Sequence, residues 1–228
     1  MADKKDDLLL RTGHRERLRQ NFLDDKLADY ELLELLLSYA IPRRDVRPLA
    51  KTLFAKFHGI FPILSAPIDE LCHISGMGPS TAIFLKAIQK IILIGYRKEG
   101  ADSTIFHNRE QLDNYCKLML GGKGVEEVHV LYLDADQRLL EDELHSRGTI
   151  NSSGVYDREI IGRCMTLGAK YVILVHNHPK ADTSFSTEDV QLTKDLKNKL
   201  AAIDVILHDH CVVSGGILYS MNELALWN

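Results

Sequence analysis

Residues 170–189 read KYVILVHNHPKADTSFSTED, and this stretch guides the interpretation of the whole chain. It begins with a short apolar run, which is typical of a strand buried on both faces of a sheet. The run ends at His176 and His178, and a polar turn follows. Beyond the turn, Ser186 and Asp189 have the spacing of a helix N-cap and its partner three residues later. The stretch therefore predicts a strand, a turn and a helix, with two histidines at the end of the strand.

The two histidines and the aspartate are candidate ligands of a zinc ion. Alternate residues of a strand lie ~6.6 Å apart and point to one face, so His176 and His178 are expected to face the same way. Asp189 would lie near the positive end of its helix, which favours a carboxylate. Two imidazoles and one carboxylate leave a fourth position open, as in catalytic zinc sites. A solvated strand end followed by an ordinary capping box is the simpler alternative.

Composition places the chain among ordinary globular proteins. It has 228 residues, of which 45% are hydrophobic and 26% are charged. No apolar run reaches the ~18 residues of a membrane span, and the N-terminus lacks the apolar core of a signal peptide. We therefore expect a cytoplasmic protein without a membrane partner. Four scattered cysteines form no CxxC pair, so free buried thiols are expected.

The periodicity of apolar residues changes once along the chain. Apolar residues recur every three or four positions in residues 1–100, which predicts helices, and KEGAD at 98–102 resembles a linker. From about residue 104 strands and helices alternate. Strands are predicted within 127–136, 137–150, 170–179 and 204–221, and helices within 156–169 and 186–203. The expected fold class is α+β (α/β-like), with a mixed central sheet flanked by helices in residues 105–228, preceded by an all-α domain in residues 1–100.

The histidine stretch resembles a known family. The pattern H-x-H, seven residues, S, two residues, D is similar to the JAMM motif of JAB/MPN metallopeptidases, and His176, His178, Ser186 and Asp189 fit every position. The surrounding segments LYLDADQRLL, GTIN, REII, HNHP and DH resemble the RadC-like family, formerly called DNA repair proteins. GHRERL, DYELLELLLSYAIPRRDVRPLAKTL and ISGMGPSTA resemble the N-terminal helical region of that family. The resemblance covers nearly the whole chain and implies a JAB/MPN domain that binds Zn²⁺.

The resemblance also implies a catalytic glutamate at the start of an earlier strand. Glu127 stands directly before an apolar run and is favoured as the general base, with Glu126 as its rival. An ordinary solvated acid at a strand start is the alternative. Ser186 would donate a hydrogen bond to the oxyanion. The implied activity is that of a zinc-dependent, metallopeptidase-like hydrolase of peptide or isopeptide bonds, with a peptide or protein substrate.

Two features near the motif depart from or extend this pattern. Family members usually continue Ser-Gly after HNHP and place a proline before the motif serine, whereas this chain has Lys180, Ala181 and Phe185. The ligands are unchanged, but the altered turn affects the shape of the loop and hence the access of a substrate.

His208 and His210 form a second pair that is expected to share a strand face. No third ligand lies near them in the sequence, so a structural or metal-supporting role is predicted.

A glycine turn in the helical half suggests a second kind of partner. HISGMGPSTA, residues 73–82, resembles a helix-hairpin-helix motif in which Gly76 and Gly78 permit a tight turn. The helix that follows would offer free backbone N–H groups to a phosphate, with Lys86 and Lys90 on the same helix. The first hundred residues carry 16 Lys/Arg against 13 Asp/Glu, a net charge of only +3. DNA is therefore a candidate partner, and a plain protein contact is the alternative.

Three functions remain open from the sequence. The first is the zinc hydrolase, which Glu127, Ser186 and the open ligand position favour. The second is a non-catalytic accessory protein associated with DNA repair or recombination, with the zinc fold as a scaffold, which the altered turn favours. The third is zinc-dependent hydrolysis of a non-peptide amide or a nucleic acid, because a fold does not fix a function.

Overall fold

A computed structural model of the chain gives the architecture. It describes residues 3–102, 108–148, 153–180 and 185–227, with the side chains of 3–12 and 153–156 left out. The chain divides into two compact units, Met1–Ile88 and Gln89–Asn228. The predicted boundary between residues 100 and 105 therefore does not coincide with the division between the compact units.

The first unit is helical, as the three- and four-residue periodicity predicts. Its helices are α1 (Asp3–Leu23), α2 (Asp29–Ala40), α3 (Arg47–Phe57), α4 (Ile60–Ser65), α5 (Ile68–Cys72) and the beginning of α6 (Pro79–Asp102). Leu33, Leu37 and Leu53 are completely buried, so the leucines of α2 and α3 form part of the core of this unit. The segment between α2 and α3 is a loop, as its proline and arginines indicate.

Helix α6 differs from the sequence-based expectation at its C-terminal end. The predicted linker at 98–102 is wrong, because these residues form the last turns of α6. Gly100 lies inside the helix and is buried. A glycine inside a helix is tolerated at a cost of about 1 kcal/mol relative to alanine, so a single glycine did not end this helix.

The second unit contains the predicted mixed sheet flanked by helices. Its strands are β1 (Glu127–Leu133), β2 (Leu139–Arg147), β3 (Tyr171–His178), β4 (Ile206–Ser214) and β5 (Ile217–Ser220). They lie in the order β2-β1-β3-β4-β5, with β3 and β4 parallel and the other neighbours antiparallel. The helices are α7 (Arg109–Leu120), α8 (Ser153–Leu167) and α9 (Thr187–Ala201). The α+β class is confirmed, and α7 was not predicted.

The sheet has two covered faces, which we call the front and the back. Val128 of β1 lies directly opposite His176 of β3, so both point to the front face. Front-facing valines and leucines pack against apolar residues of α8 and α9, including Ile160 and Leu196. Helix α7 contacts β3, β4 and β5. Helices on both sides explain why β1 is buried along its whole length and why β3 is a continuous apolar run.

The cysteines and the apolar character of the helices correspond to two expectations from composition. All four cysteines are free, and Cys116, Cys164 and Cys211 are buried while Cys72 is half-buried. Within the described residues, no helix combines the length and the apolar character needed to cross a membrane.

Candidate metal centre

His176 and His178 lie together at the carboxyl end of β3. Their Nε2 atoms are 2.9 Å apart; His176 is buried and His178 is half-buried at the end of the strand. Two nitrogens bound tetrahedrally to one zinc ion at 2.0–2.1 Å lie about 3.3 Å apart. A separation a few tenths of an ångström larger would therefore suit one shared ion.

Asp189 points its carboxylate at both histidines. Its Oδ1 lies 3.7 Å from Nε2 of His176, and its Oδ2 lies 3.7 Å from Nε2 of His178. The backbone N–H and the hydroxyl of Ser186 donate to Oδ2 at 2.8 and 2.7 Å, and Ser186 Oγ accepts from the Asp189 N–H at 3.0 Å. The ordinary capping box is therefore present, and it holds the carboxylate beside the imidazoles. Capping and a ligand role are compatible rather than exclusive.

Glu126 is the fourth member of the cluster. One carboxylate oxygen of Glu126 and one nitrogen each of His176 and His178 all lie within 4.8 Å of one another. Burial raises the pKa of Glu126, and the charge of Asp189 adds to the rise while His178 opposes it. Glu126 therefore holds a proton more readily than an ordinary glutamate does. We call Glu126, His176, His178, Asp189 and His210 the front cluster.

Glu127 does not face the histidines. It directly precedes front-facing Val128, so alternation along the strand turns its side chain to the back. There it is almost fully buried, with Lys123 Nζ at 3.1 Å and Arg147 Nε at 3.3 Å from its carboxylate oxygens. The predicted placement of Glu127 beside the motif is wrong, and Glu126 occupies that position.

His210 lies behind His176, because β4 contains a bulge. The register of β4 against β3 shifts between Leu207 and Asp209, which makes His208 the extra residue and reverses the alternation after it. His210 then faces the front, with its Nε2 2.8 Å from Nδ1 of His176, whereas His208 lies against the ring of Tyr171. The predicted shared face of His208 and His210 is wrong. The contact with His176 agrees with a metal-supporting role for His210.

Burial sets the protonation of the front histidines. It lowers the pKa of His176 to about 4, with His178 adding to the effect and Asp189 opposing it. Burial also lowers the pKa of His210 well below its ordinary value, and the two neighbouring histidines add to that effect. Both rings are therefore neutral at neutral pH, which is the form in which imidazole binds metal ions.

Asn177 is a residue of this site that the sequence analysis did not single out. It is 2% exposed and lies between the two histidines on β3. Its Oδ1 accepts from the Glu127 N–H at 2.9 Å, and its Nδ2 donates to the Val125 carbonyl at 3.2 Å. These bonds fix the backbone on both sides of Glu126. A buried asparagine inside an apolar strand was the available signal, because buried amides require hydrogen-bond partners.

The altered turn places an aromatic ring beside the histidines. Lys180 is exposed, and Ala181 lies outside the described residues. The ring of Phe185 is centred 5.3 Å from that of His210 and 6.3 Å from that of His176, in edge-on arrangements. It also packs against the front core. The residue that replaces the proline expected from the family pattern therefore shields the two histidines.

The predicted nucleic-acid contacts in the helical unit are only partly available. Gly76 adopts a φ of +94°, which favours glycine, and Gly78 has open space where a Cβ would be. Lys86 Nζ donates to three carbonyls at 2.7–3.2 Å, those of Leu64, Ser65 and Ala66. The ammonium of Lys86 therefore binds carbonyls at the C-terminal end of α4, and its contact with a phosphate, which stays a prediction, would require it to leave some of these carbonyls.

Comparison with known proteins places these features in a family. A family model described as a RadC-like JAB domain matches residues 106–226. A protein named UPF0758 from Fusobacterium nucleatum subsp. nucleatum is 34% identical over 224 residues, which cover 94% of this chain and 97% of that relative. The match to the family model includes every residue of the front cluster.

Proposed function

Because this chain belongs to the family of RadC-like JAB-domain proteins, we propose that it is a zinc-dependent hydrolase of peptide or isopeptide bonds. The observation that carries this proposal is the front cluster itself. The imidazoles of His176 and His178 and the carboxylates of Glu126 and Asp189 converge at the end of a strand, and in the described part of the chain no lysine or arginine pairs with either carboxylate. Such a set of nitrogen and oxygen donors fits a zinc ion.

The two carboxylates are suited to different roles. Asp189 is held in place by Ser186 and lies equally close to both imidazoles, so His176, His178 and Asp189 would hold the metal. Glu126 has a raised pKa and is more exposed than Asp189, which suits a group that carries protons. When bound, a zinc ion acidifies water and polarises a carbonyl oxygen.

Glu126 would act as the general base and then as the general acid. It takes a proton from the attacking water, and it later delivers that proton to the nitrogen of the leaving amine. The backbone around Glu126 is held by Asn177, and its own carbonyl accepts from the Gly148 N–H at 2.8 Å. A fixed backbone keeps the carboxylate within reach of the two histidines.

Ser186 remains a candidate donor to the oxyanion, but it is already engaged. Its hydroxyl donates to Asp189, so the hydrogen must turn away from that carboxylate before it can reach a substrate oxygen. Binding of a cation to Asp189 would weaken this hydrogen bond and make the turn easier. The role of Ser186 therefore depends on the state of Asp189.

The direct test is a cleavage screen of the purified protein. A library of peptides and lysine-linked isopeptides would be incubated with the zinc-loaded protein, with and without a chelator. We expect cleavage that the chelator abolishes and added zinc restores. If the protein carries one zinc and still cleaves neither the peptides nor the isopeptides, the accessory function is favoured.

DNA is a second candidate partner, and the turn at Gly76 and Gly78 favours it. A helix of 24 residues begins directly after this turn, and its first N–H groups could reach a phosphate. Among the described residues, no atom beyond the two chain neighbours of Gly78 lies within 4 Å of the position that a Cβ would take there. The change Gly78→Val would therefore obstruct a ligand more than it would disturb the packing. The low net charge of the first hundred residues leads us to expect weak, sequence-independent binding.

A salt titration of the full chain on double-stranded and branched DNA tests this second candidate. Affinity should fall steeply with salt, because displaced counterions drive phosphate binding. Gly78→Val should weaken the binding while its zinc content stays at the wild-type level. An absence of binding at ~50 mM salt, the low end of the usual range, would assign the helical unit to protein contacts.

A further inference from the structure

The front cluster continues into a chain of hydrogen bonds that returns to one of its own members. His176 Nδ1 lies 2.8 Å from His210 Nε2. His210 Nδ1 lies 2.6 Å from the hydroxyl of Thr193. That hydroxyl lies 2.5 Å from the backbone carbonyl of Asp189, one helical turn earlier in α9. The path therefore joins two candidate ligands, His176 and Asp189, through residues that are not ligands.

The direction of each hydrogen bond follows from the last acceptor. A backbone carbonyl can only accept, so the hydroxyl hydrogen of Thr193 points to Asp189. The oxygen of Thr193 must then accept from His210, which puts a proton on Nδ1 of His210. In a neutral His210 the Nε2 atom carries no proton and accepts. His176 must therefore donate from its own Nδ1.

We propose that Thr193 and His210 are positioning residues that fix the tautomer of His176. The chain of hydrogen bonds leaves Nε2 of His176 unprotonated, with its lone pair bare. This Nε2 atom lies 2.9 Å from Nε2 of His178 and 3.7 Å from Oδ1 of Asp189. The inference rests on the proposed function in that the bare lone pair is meant for a metal ion. Ligating histidines generally donate their other N–H to an oxygen acceptor. Here a second histidine is the acceptor.

The surroundings preserve this arrangement. His176 and His210 are 1% and 3% exposed, and Thr193 is fully buried. The ring of Phe185 lies edge-on to both imidazoles and limits the access of water to the bond between them. Without the hydroxyl of Thr193, His210 could move its proton to Nε2. The chain would then reverse, and the proton of His176 would occupy the atom needed by the metal.

The tautomers can be read without any metal. Nitrogen-15 NMR of imidazole-labelled, metal-free protein distinguishes protonated from bare ring nitrogens. We expect Nδ1–H and a bare Nε2 in both His176 and His210. A proton on Nε2 of His210 would overturn the inference, whatever the protein does with zinc.

A set of matched variants tests the consequence for metal affinity. Thr193→Val removes the hydroxyl at nearly constant shape and should weaken zinc binding about 10–100-fold, the usual cost of losing a residue that supports a metal ligand. Thr193→Ser should retain the wild-type affinity. Thr166→Val is the control, because Thr166 makes the same hydrogen bond to the carbonyl four residues earlier, at 2.9 Å in α8, and is exposed.

Changes at His210 extend this test. His210→Gln keeps an acceptor near the position of Nε2 and should lose less zinc affinity than His210→Leu, while His208→Leu should lose none. Equal zinc affinity in wild type, Thr193→Val and His210→Leu would refute the inference and leave the proposed function intact. If the wild type itself binds no zinc, the proposed function fails, and the NMR measurement still decides the tautomer.

Discussion

The front and the back of the sheet near the start of β1 carry similar acidic and histidine residues, but these residues have different hydrogen-bond and ion-pair partners. The front cluster has two carboxylates and three histidines. The back also has two carboxylates and a histidine, in a group that we call the back cluster: Glu127, His129, Asp142, Tyr115 and Arg97, with Lys123 and Arg147 at its edge. Residues 126 and 127 are adjacent in the chain, and each belongs to a different cluster.

In the back cluster the acids are paired with cations or hydrogen-bond donors. Asp142 accepts from Arg97 at 2.7 and 3.0 Å, from His129 Nδ1 at 2.8 Å, and from the Tyr115 hydroxyl. Burial alone would raise the pKa of Asp142, but the hydrogen bonds from His129 and Tyr115 and the charge of Arg97 hold it below its ordinary value. These donors already stabilise the ionised carboxylate of Asp142, so no metal ion is required to balance its charge.

The front cluster lacks this compensation. Burial keeps His176 and His210 neutral at neutral pH, and within the described residues the carboxylates of the front cluster have no lysine or arginine partner. Nitrogen and oxygen donors gathered without a lysine or arginine partner fit the metal site that we propose. The partners of a buried acid, more than the acid itself, therefore separate a structural cluster from a candidate metal site.

The adjacent glutamates give the largest expected effect. Glu126→Gln should retain zinc and lose about 10²–10⁴-fold in turnover, the usual contribution of a general base, because an amide cannot take up the proton. Glu127→Gln is the matched control and should keep its turnover, since its partners are Lys123 and Arg147. Turnover per zinc-loaded molecule is the measurement. An active Glu126→Gln beside an inactive Glu127→Gln would reverse the assignment of the two faces.

A change in the back cluster should affect stability and not metal binding. Asp142→Asn leaves the charge of Arg97 without its partner and should lower the free energy of unfolding by about 3 kcal/mol, at the lower end for a buried pair because the Arg97 side chain is 36% exposed. Urea unfolding of the metal-free protein measures this effect. Asp136→Asn breaks an exposed pair with Arg138 and should cost less than about 1 kcal/mol. Comparable losses in the two variants would contradict the structural role of Asp142.

Two fragments of the chain should show a smaller loss of stability that involves the same cluster. A fragment of residues 89–228 keeps Arg97 on Asp142 and the hydrogen bond from Gln89 to the Leu118 carbonyl, at 2.6 Å. A fragment of residues 105–228 loses both. We expect each to fold, with the shorter one less stable by about 1–3 kcal/mol, the cost of leaving buried polar groups without partners. Equal unfolding midpoints would show that α6 adds nothing to the second unit.

The strand and helix order of the second unit could be predicted because its local signals agree with one another. Apolar runs, glycine turns and the Ser186 capping pattern each identified an element that the structure contains. Helix α7 was missed although its signal is present. Leu112, Tyr115, Cys116 and Met119 recur at helical spacing after Asn108, which caps the helix.

The face of the sheet to which each strand residue points could not be predicted in the same way. β1 is buried on both faces, so the apolar residues after Glu126 and Glu127 do not show which face is which. The bulge at His208 has no signature in composition, yet it decides that His210 reaches His176. Both facts depend on pairing between distant segments, which only the folded chain supplies.

Zinc content is the measurement that tests the difference between the two faces most directly. Metal analysis of the purified protein would compare wild type with two histidine variants, His178→Ala on the front and His129→Ala on the back. We predict about one zinc in wild type and in His129→Ala, and none in His178→Ala. Full zinc in His178→Ala, or its loss in a folded His129→Ala, would contradict the assignment of the metal site to the front cluster.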